Sequence, residues 1–451
     1  MSTIGLRAPG APRPRRGGRA ALLAVVAAVA LLLSACGAGG RPSGEEGGAQ
    51  PGITPQSVKV GAHFPLTGVA SPGYSDIPTG AQAYFAYVNA NGGVNGRQIE
   101  YVFRDDAYNP TQTSQVVNEL VLQDQVFAML GGLGTPTHSA VLDYLNSEGV
   151  PDLFVSSGSL LWNQPERNPQ TFGWQPDYEI EAKILGRYIA QNFPQAKVGL
   201  FLQDDDLGRD AEIGVRRYLD AQIVAAERYT PGNTDVAPQI AALQASGADL
   251  VIGFNVPSYT ALSQLQSLRL NYTPQWAYSN IGSDPELVGS LLARFSEGAV
   301  TDAGLLDGAI TTEYLPSVEA ADDPWTQLFT RVWQEHGTGG ELTNFRIYGM
   351  AQAYAFVQAL QAAGPDPTRE GLVSAVEREG SQLEGPWLAP YRFSEQSHAG
   401  ISGVKVSRIA GAGTEDLTPV QVTDNGDAPI TPYPGGPSAP PPNGIPAPPA
   451  G

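Results

Sequence analysis

The stretch that decides the fold is 58–103, which reads VKVGAHFPLTGVASPGYSDIPTGAQAYFAYVNANGGVNGRQIEYVF. Residues 58–66 form an apolar run typical of a buried strand, and 76–89 show the apolar period of an amphipathic helix. The glycines of Asn91-Gly92-Gly93 end that helix, and Asn95-Gly96 is a two-residue turn before another apolar run at 98–103. Strand, helix and strand in this order predict the start of a βα-alternating fold.

The same alternation continues in two blocks. The first block runs to about residue 155, and the second covers about 177–278. Three further helices, at about 323–335, 345–363 and 367–378, follow without an equal number of strands, so we expect them to cover an earlier sheet. Repeated βα units favour parallel sheets with helices on both faces. The predicted fold class is therefore α/β, with two doubly wound, Rossmann-like lobes.

The predicted domain boundaries follow this pattern. We expect a signal peptide at 1–35, a flexible tether at 36–52 and a disordered Pro-rich tail at 424–451. The N-terminal lobe is predicted at 53–174 plus 304–386, and the C-terminal lobe at 175–303 plus 387–423.

Composition excludes several classes of function. The chain has 451 residues, 26 Lys+Arg against 45 Asp+Glu, and a formal net charge of −19. A general nucleic-acid binder needs a broad basic face, which this composition does not provide. The single cysteine excludes an intramolecular disulfide and a thiolate metal cluster. We expect an acidic, monomeric protein that does not bind nucleic acid.

The N-terminus is typical of an export signal. Five arginines precede an uninterrupted apolar run at 20–33, which is short for a permanent membrane span. Leu33-Ser34-Ala35-Cys36-Gly37 resembles the lipobox of bacterial lipoproteins, in which the cysteine is lipidated and becomes the new N-terminus. The alternative is an ordinary signal peptide with an incidental cysteine. We predict lipidation at Cys36 and anchoring to the outer face of the cytoplasmic membrane. Arg15-Arg16 leaves general secretion and twin-arginine export both open.

Ligands of open α/β sheets bind beyond the carboxyl ends of the strands. The loops at these ends are rich in small hydroxyls, glycines and amides, which suit a small polar group but also cap helices. Aromatic residues in or beside the same loops suit an apolar or flat ligand body. They are Tyr74, Trp162, Trp174, Tyr178, Phe254 and Tyr278.

Motifs for chemistry are missing from the sequence. Gly132-x-Gly134 lacks the third glycine of a dinucleotide fingerprint, and the four histidines show no metal-ligand spacing. There is no G-x-S-x-G elbow to supply a nucleophile. We therefore predict a protein that is not an enzyme, with no catalytic residue, no metal and no cofactor.

Matching motifs along 53–410 identify a resemblance. They include Pro65-Leu66-Thr67-Gly68, 91–97 (NGGVNGR), Asp105-Asp106, Asp205-Asp206-Leu207-Gly208 and 231–235 (PGNTD). The chain resembles the type I periplasmic solute-binding proteins of ABC importers, in the branched-chain amino acid (leucine-binding) family. The resemblance implies two lobes joined by three hinge crossings, which we place near 173–177, 300–304 and 384–390. It also implies hinge closure on a ligand in the cleft.

Family ligand contacts fall on particular residues of this sequence. The resemblance implies an aromatic cover, hydroxyl and backbone donors to a carboxylate, and second-lobe contacts. The aromatic cover corresponds to Tyr74. The donors to the carboxylate correspond to Thr135, Ser157, Gly158 and Ser159, and the second-lobe contacts correspond to Asp177 or Tyr178, Asn255 and Asn280.

The sequence departs from the family at the ligand's ammonium group. Family members hold it with a second-lobe carboxylate, but the nearest positions here are Ser279 and Asn280, and Leu207 replaces a frequent tyrosine. A buried ammonium without a counter-charge is costly, so a leucine-type ligand requires Asp177 to supply it. A carboxylate- or amide-bearing apolar or aromatic compound fits the neutral rim as well.

The leading prediction is an ABC-importer binding protein that captures a small amino-acid-like or carboxylate- or amide-bearing ligand and presents it to permease subunits. Two alternatives remain open: a ligand-sensing receptor domain of the same fold and an extracytoplasmic α/β enzyme.

Overall fold

The computed structural model describes residues 50–300 and 303–447. The predicted signal peptide, Cys36 and most of the predicted tether lie outside these residues. Within them, no helix is both long and apolar enough to span a membrane.

The strands belong to two sheets. In chain order they are β1 Ser57–Phe64, β2 Gln98–Asp105, β3 Ala128–Leu130, β4 Asp152–Val155, β5 Thr171–Gly173, β6 Val198–Gln203, β7 Ile223–Tyr229, β8 Leu250–Phe254, β9 Gln275–Tyr278, β10 Ile310–Glu313, β11 Gly403–Ala410, β12 Gly413–Asp416, β13 Gln421–Val422 and β14 Thr431–Pro432.

The helices alternate with these strands. They are α1 Ile77–Ala90, α2 Pro110–Leu122, α3 Thr135–Ser139, α4 Leu142–Ser147, α5 Tyr178–Asn192, α6 Asp206–Leu219, α7 Ala237–Ala245, α8 Pro257–Leu270, α9 Pro285–Phe295, α10 Pro324–His336, α11 Asn344–Ala362 and α12 Arg369–Glu379. Short helical turns occur at Ser71–Tyr74, Leu160–Trp162, Asp220–Gln222, Asn280–Gly282, Ala303–Leu306 and Gly380–Gln382.

The first sheet defines the first lobe. Its order is β2-β1-β3-β4-β5, and every pair is parallel. Helix α1 packs against α10 and α11, and α11 packs against α12. Gln352 of α11 donates to the carbonyl of Phe154 in β4 (2.7 Å), and Arg369 of α12 donates to the carbonyl of Phe127 beside β3 (3.0 Å). The late helices therefore cover the first sheet, as the sequence predicts. Helices α1 and α11 touch through their backbones, since a Cβ on Gly349 would lie 2.0 Å from the carbonyl oxygen of Ile77.

The second sheet defines the second lobe. Strands β7-β6-β8-β9-β10 are parallel, and β11 continues the sheet as an antiparallel neighbour of β10. Strands β12 and β13 pair with β11, and β14 pairs with β13. The fold class is thus the predicted one: α/β, with parallel sheets in two lobes.

Two of the three crossings differ from their predicted positions. The chain passes from β5 to α5 over 174–177. However, β10 still belongs to the second sheet, so the second crossing follows Glu313 rather than lying at 300–304. The third crossing lies close to Gly403 rather than at 384–390. Phe393 before it stacks on Phe154 of the first lobe, with ring centroids 5.8 Å apart. The sequence could not show this, because β10 pairs with β11 across more than 90 residues of chain.

The predicted disorder of the tail is wrong for 424–447. Strand β14 pairs with β13, and Ile430 is buried. Further along, the hydroxyl of Tyr84 donates to the carbonyl of Gly444 (2.8 Å), and Gln361 Nε2 donates to the carbonyl of Pro446 (2.8 Å). We call 433–447 the C-terminal strap, since it leaves the second sheet and lies across helices of the first lobe. Its prolines are compatible with this path because its carbonyls accept the hydrogen bonds.

Candidate functional site

A cleft lies between the two lobes, beside loops that follow the carboxyl ends of strands. It encloses about 1110 Å³, including the solvent at its mouth. First-lobe residues at its wall include Tyr74, Tyr108, Leu133, Gly134, Ser156, Phe345 and Tyr348. Second-lobe residues include Tyr178, Leu207, Asn280, Ile281, Asp284, Thr312 and Glu313, while Gln175 and 314–317 come from the crossings.

Tyrosine rings dominate the wall of the cleft. Tyr74 and Phe345 meet edge to face, with centroids 5.8 Å apart. Burial raises the pKa of Tyr178 to about 12, and it raises the pKa values of Tyr74 and Tyr108 well above their usual range. These hydroxyls therefore remain neutral at physiological pH, and their rings offer flat apolar surface to a ligand.

Three of the predicted ligand residues reach the cleft. Tyr74 lines it from the first lobe, and Tyr178 and Asn280 line it from the second. Asn280 lies in the turn after β9, and its Nδ2 is buried without a hydrogen-bond partner among the described residues. The Asn280 side chain is also close enough to Glu181 to lower the pKa of that carboxyl group, so it lies between Glu181 and the cleft.

The predicted carboxylate-holding loop lies behind the wall. Thr135 and Ser157 are buried, with their hydroxyl oxygens 2.8 Å apart. The hydroxyl of Tyr178, which lines the cleft, lies 3.5 Å from that of Ser157, so the pair lies beside a wall residue and not in the wall itself. Gly158 accepts from the backbone N–H of Tyr178 (2.8 Å), and Ser159 caps the turn Leu160–Trp162. None of these four residues lines the cleft in this conformation.

Asp177 and Asn255 are also absent from the cleft wall. The carboxylate of Asp177 caps α5 through the N–H of Ile180 and pairs with Arg392. Asn425 Nδ2 donates to the same carboxylate (3.0 Å). Asp177 is therefore already paired and is not brought to a ligand ammonium. Asn255 is 1% exposed and donates to Thr260 instead.

Glu181 is a buried carboxylate that the sequence reasoning missed. It lies on α5 with no exposed surface, and it accepts from Asn280 N (2.9 Å), Ser279 Oγ (3.0 Å) and Thr312 Oγ1 (2.5 Å). Burial raises its pKa, opposed by the hydrogen bond from Thr312 and those from the Ser279–Asn280 turn. The signal in the sequence was an acid one helical turn after Tyr178, on the buried side of an amphipathic helix.

The two lobes touch around the cleft. Ser258 Oγ donates to the carbonyl of Val69 (2.6 Å), and Asn344 Nδ2 donates to Asp284 (2.8 Å). The backbone N–H of Leu160 donates to Asp210 (2.9 Å). Each bond joins one lobe to the other, so the structure represents a closed cleft.

Two α/β lobes, three crossings and a cleft lined from both lobes define the class of type I periplasmic binding proteins. A family model described as periplasmic binding protein matches residues 57–414, and the chain belongs to that family. Its members are substrate-binding proteins that work outside the cytoplasm.

Individual relatives give the same family. The chain is 28% identical over 353 residues to Leu/Ile/Val-binding protein homolog 2 of Brucella abortus (strain 2308), covering 74% of this chain and 85% of that relative. A Thermus thermophilus branched-chain amino acid ABC transporter structure with bound valine superposes with a TM-score of 0.68 at 19% identity, covering 80% and 96%. A fatty acid ABC transporter substrate-binding protein from Thermomonospora curvata superposes with a TM-score of 0.71 at 22% identity, covering 86% and 98%.

Proposed function

We propose that this protein is the extracytoplasmic solute-binding lipoprotein of an ABC importer. It captures a small amino-acid-like or carboxylate- or amide-bearing solute in the cleft and presents the closed form to permease subunits. The observation that carries this proposal is the cleft itself, because its wall comes from both lobes and hydrogen bonds join the lobes around it. A ligand there contacts both lobes at once and so favours their closure.

The relatives support transport of a small solute. Their names refer to leucine, isoleucine and valine, to amino acids and to fatty acids. We extend from them only the role of capture and delivery, since the fold is shared while the named ligands differ.

A ligand screen tests the proposal. The mature protein is heated with amino acids, amides, aromatic acids and short fatty acids, and we expect members of one chemical class to raise its melting temperature. Tyr178→Ala removes a ring from the cleft wall and should abolish that rise, whereas Tyr218→Ala changes a 40% exposed ring and should not. Loss of uptake of the same compound on deletion from the host supports delivery to an importer. Turnover of the compound by the purified protein would contradict the proposal.

The lipid anchor is tested separately. We expect the mature host protein to begin at a lipidated Cys36 and to partition into detergent. Cys36→Ala should move the protein to the aqueous phase without changing ligand binding. An unmodified cysteine in the mature protein would contradict anchoring.

A further inference from the structure

The charged residues that line the cleft are acidic. Asp284 and Glu313 line the cleft, whereas no Lys, Arg or His among the residues that the structure describes does so. Glu313 pairs with Lys405 (3.1 Å), and Asp284 accepts from Leu287 N and from Asn344. An anionic ligand would therefore meet acidic groups and no cation.

Most hydroxyl donors at the wall are already engaged. Tyr74 donates to the carbonyl of Ile281 (3.1 Å), and Tyr348 donates to Gln175 Oε1 (3.2 Å). Thr312 donates to Glu181. The lone pairs of these three oxygens remain available as acceptors, whereas the hydroxyl of Tyr108 accepts from Gln203 Nε2 (3.3 Å) and keeps its own proton as a donor.

Glu181 is a buried carboxyl group directly behind this wall, and both of its oxygens accept hydrogen bonds, which favours the charged form although burial raises its pKa. It makes no ion pair with any residue of the described chain, and its three hydrogen-bond donors are neutral groups. Two of the residues that donate to it, Asn280 and Thr312, line the cleft. A buried carboxylate without a cation is costly, and a positive charge brought into the cleft would offset that cost.

Building on the proposed capture of a small solute, we propose that the cleft selects organic cations: a protonated amine or quaternary ammonium on an apolar or aromatic body. Glu181 is the counter-charge behind Asn280 and Thr312, and the rings of Tyr74, Tyr178 and Tyr348 surround the ligand. Aromatic faces attract cations, and the attraction strengthens where water is excluded. This keeps the proposed capture of a small solute but replaces the carboxylate- or amide-bearing ligand class with a cationic one, and it gives no role to a free carboxylate.

The test varies ligand charge on a constant body. Thermal shift and calorimetry are run on the wild-type protein with 2-phenylethylamine, phenylalanine, 3-phenylpropanamide and 3-phenylpropanoate. The same four head groups are then tested on isobutyl and butyl bodies. We expect the amines to stabilise the protein most and the carboxylates least. Tighter binding of the carboxylates overturns the inference but leaves solute capture standing. A screen in which no amine binds also overturns it, whereas the uptake experiment judges solute capture independently.

A matched pair of variants tests the role of Glu181. Glu181→Gln keeps the side-chain shape and removes the charge, so amine binding should weaken by about tenfold or more while binding of the neutral amide is retained. Glu179→Gln is the control, because Glu179 lies on the same helix but accepts from Gly426 N (2.8 Å) and pairs with Arg217 (3.6 Å). If Glu181→Gln weakens binding of the amine and of the amide equally, Glu181 has a structural role and is not the counter-charge. If this variant misfolds, the charge series on the wild-type protein still decides the ligand class.

Discussion

The hydroxyl of Tyr74, in the first lobe, donates a 3.1 Å hydrogen bond to the carbonyl of Ile281, in the second lobe. Both residues line the cleft. The same side chain that covers the ligand space therefore also joins the lobes. We therefore expect ligand contact and lobe closure to be coupled at this residue, because a ligand that positions the ring would also position the hydrogen bond.

Tyr74→Phe should open the cleft while retaining the ring. Loss of one hydrogen bond costs about 1 kcal/mol, which corresponds to roughly fivefold weaker ligand binding. Small-angle scattering of the free protein should show a larger radius of gyration for this variant. Tyr218→Phe, at an exposed position, is the control and should match the wild type. An unchanged radius and affinity in Tyr74→Phe would contradict the coupling.

Asp210 should make stability depend on pH. Burial raises the pKa of Asp210 to about 6, although the hydrogen bond from Leu160 N lowers this pKa. The pKa of Asp210 is near 4 in the unfolded chain and about 6 in the folded protein, so the folded protein holds the proton more tightly. The contribution of Asp210 to the free energy of unfolding therefore falls as the pH rises from about 4 to about 6.

The variant Asp210→Asn keeps an acceptor for Leu160 N and removes the charge. Relative to wild type, it should gain about 2 kcal/mol between pH 4 and pH 7, measured by urea unfolding at each pH. Asp220→Asn, on an exposed carboxylate, is the control. A constant difference between Asp210→Asn and wild type across this range would contradict the raised pKa.

The C-terminal strap should stabilise the first lobe. Removing 436–451 deletes the acceptors of Tyr84, Gln361 and Trp325 and exposes the apolar surface that Ile445 covers. We expect a loss of about 2 to 3 kcal/mol in the free energy of unfolding. Removing only 448–451 is the control. Equal stability of the two truncated proteins would show that the strap contributes nothing.

A buried chain of side chains crosses the first sheet from Asp106 through His63 and His138 to Asp152. The successive distances are 2.7, 2.9 and 2.7 Å. Burial lowers the pKa of His63, although the hydrogen bond to Asp106 opposes this. The chain pairs both buried carboxylates, so each of its members depends on the others.

His63→Gln should break this chain and leave groups without partners. We expect a loss of about 2 to 4 kcal/mol in the free energy of unfolding, from chemical denaturation. His336→Gln, at a partly exposed histidine on α10, should cost little. A loss in His63→Gln no larger than in His336→Gln would show that the chain is not stabilising.

Much of the fold could be predicted from local pattern. The apolar runs at 58–66 and 98–103 become β1 and β2, and the late helices cover the first sheet as expected. The second and third crossings were misplaced because β10 and β11 pair across more than 90 residues of chain. No local period encodes such a partner.

The candidate site was predictable only in part. The loops at strand ends were located correctly, and Tyr74, Tyr178 and Asn280 line the cleft. Asp177 carries the right chemistry, but Arg392, a distant residue in sequence, already pairs with it. Glu181 was missed because its importance comes from Ser279 and Thr312, which approach it from other strands' ends.

The sequence by itself determined the alternation of strands and helices, the two lobes and the family, because these depend on local period, turn residues and short motifs; the export signal stays a prediction. Only the tertiary structure decided which polar side chains face the ligand space and which are already paired. It also decided that the Pro-rich strap packs on the first lobe. The physical reason is that burial and hydrogen bonding are set by partners far apart in the chain, and these partners fix whether a carboxylate is free, capped or buried beside a cleft.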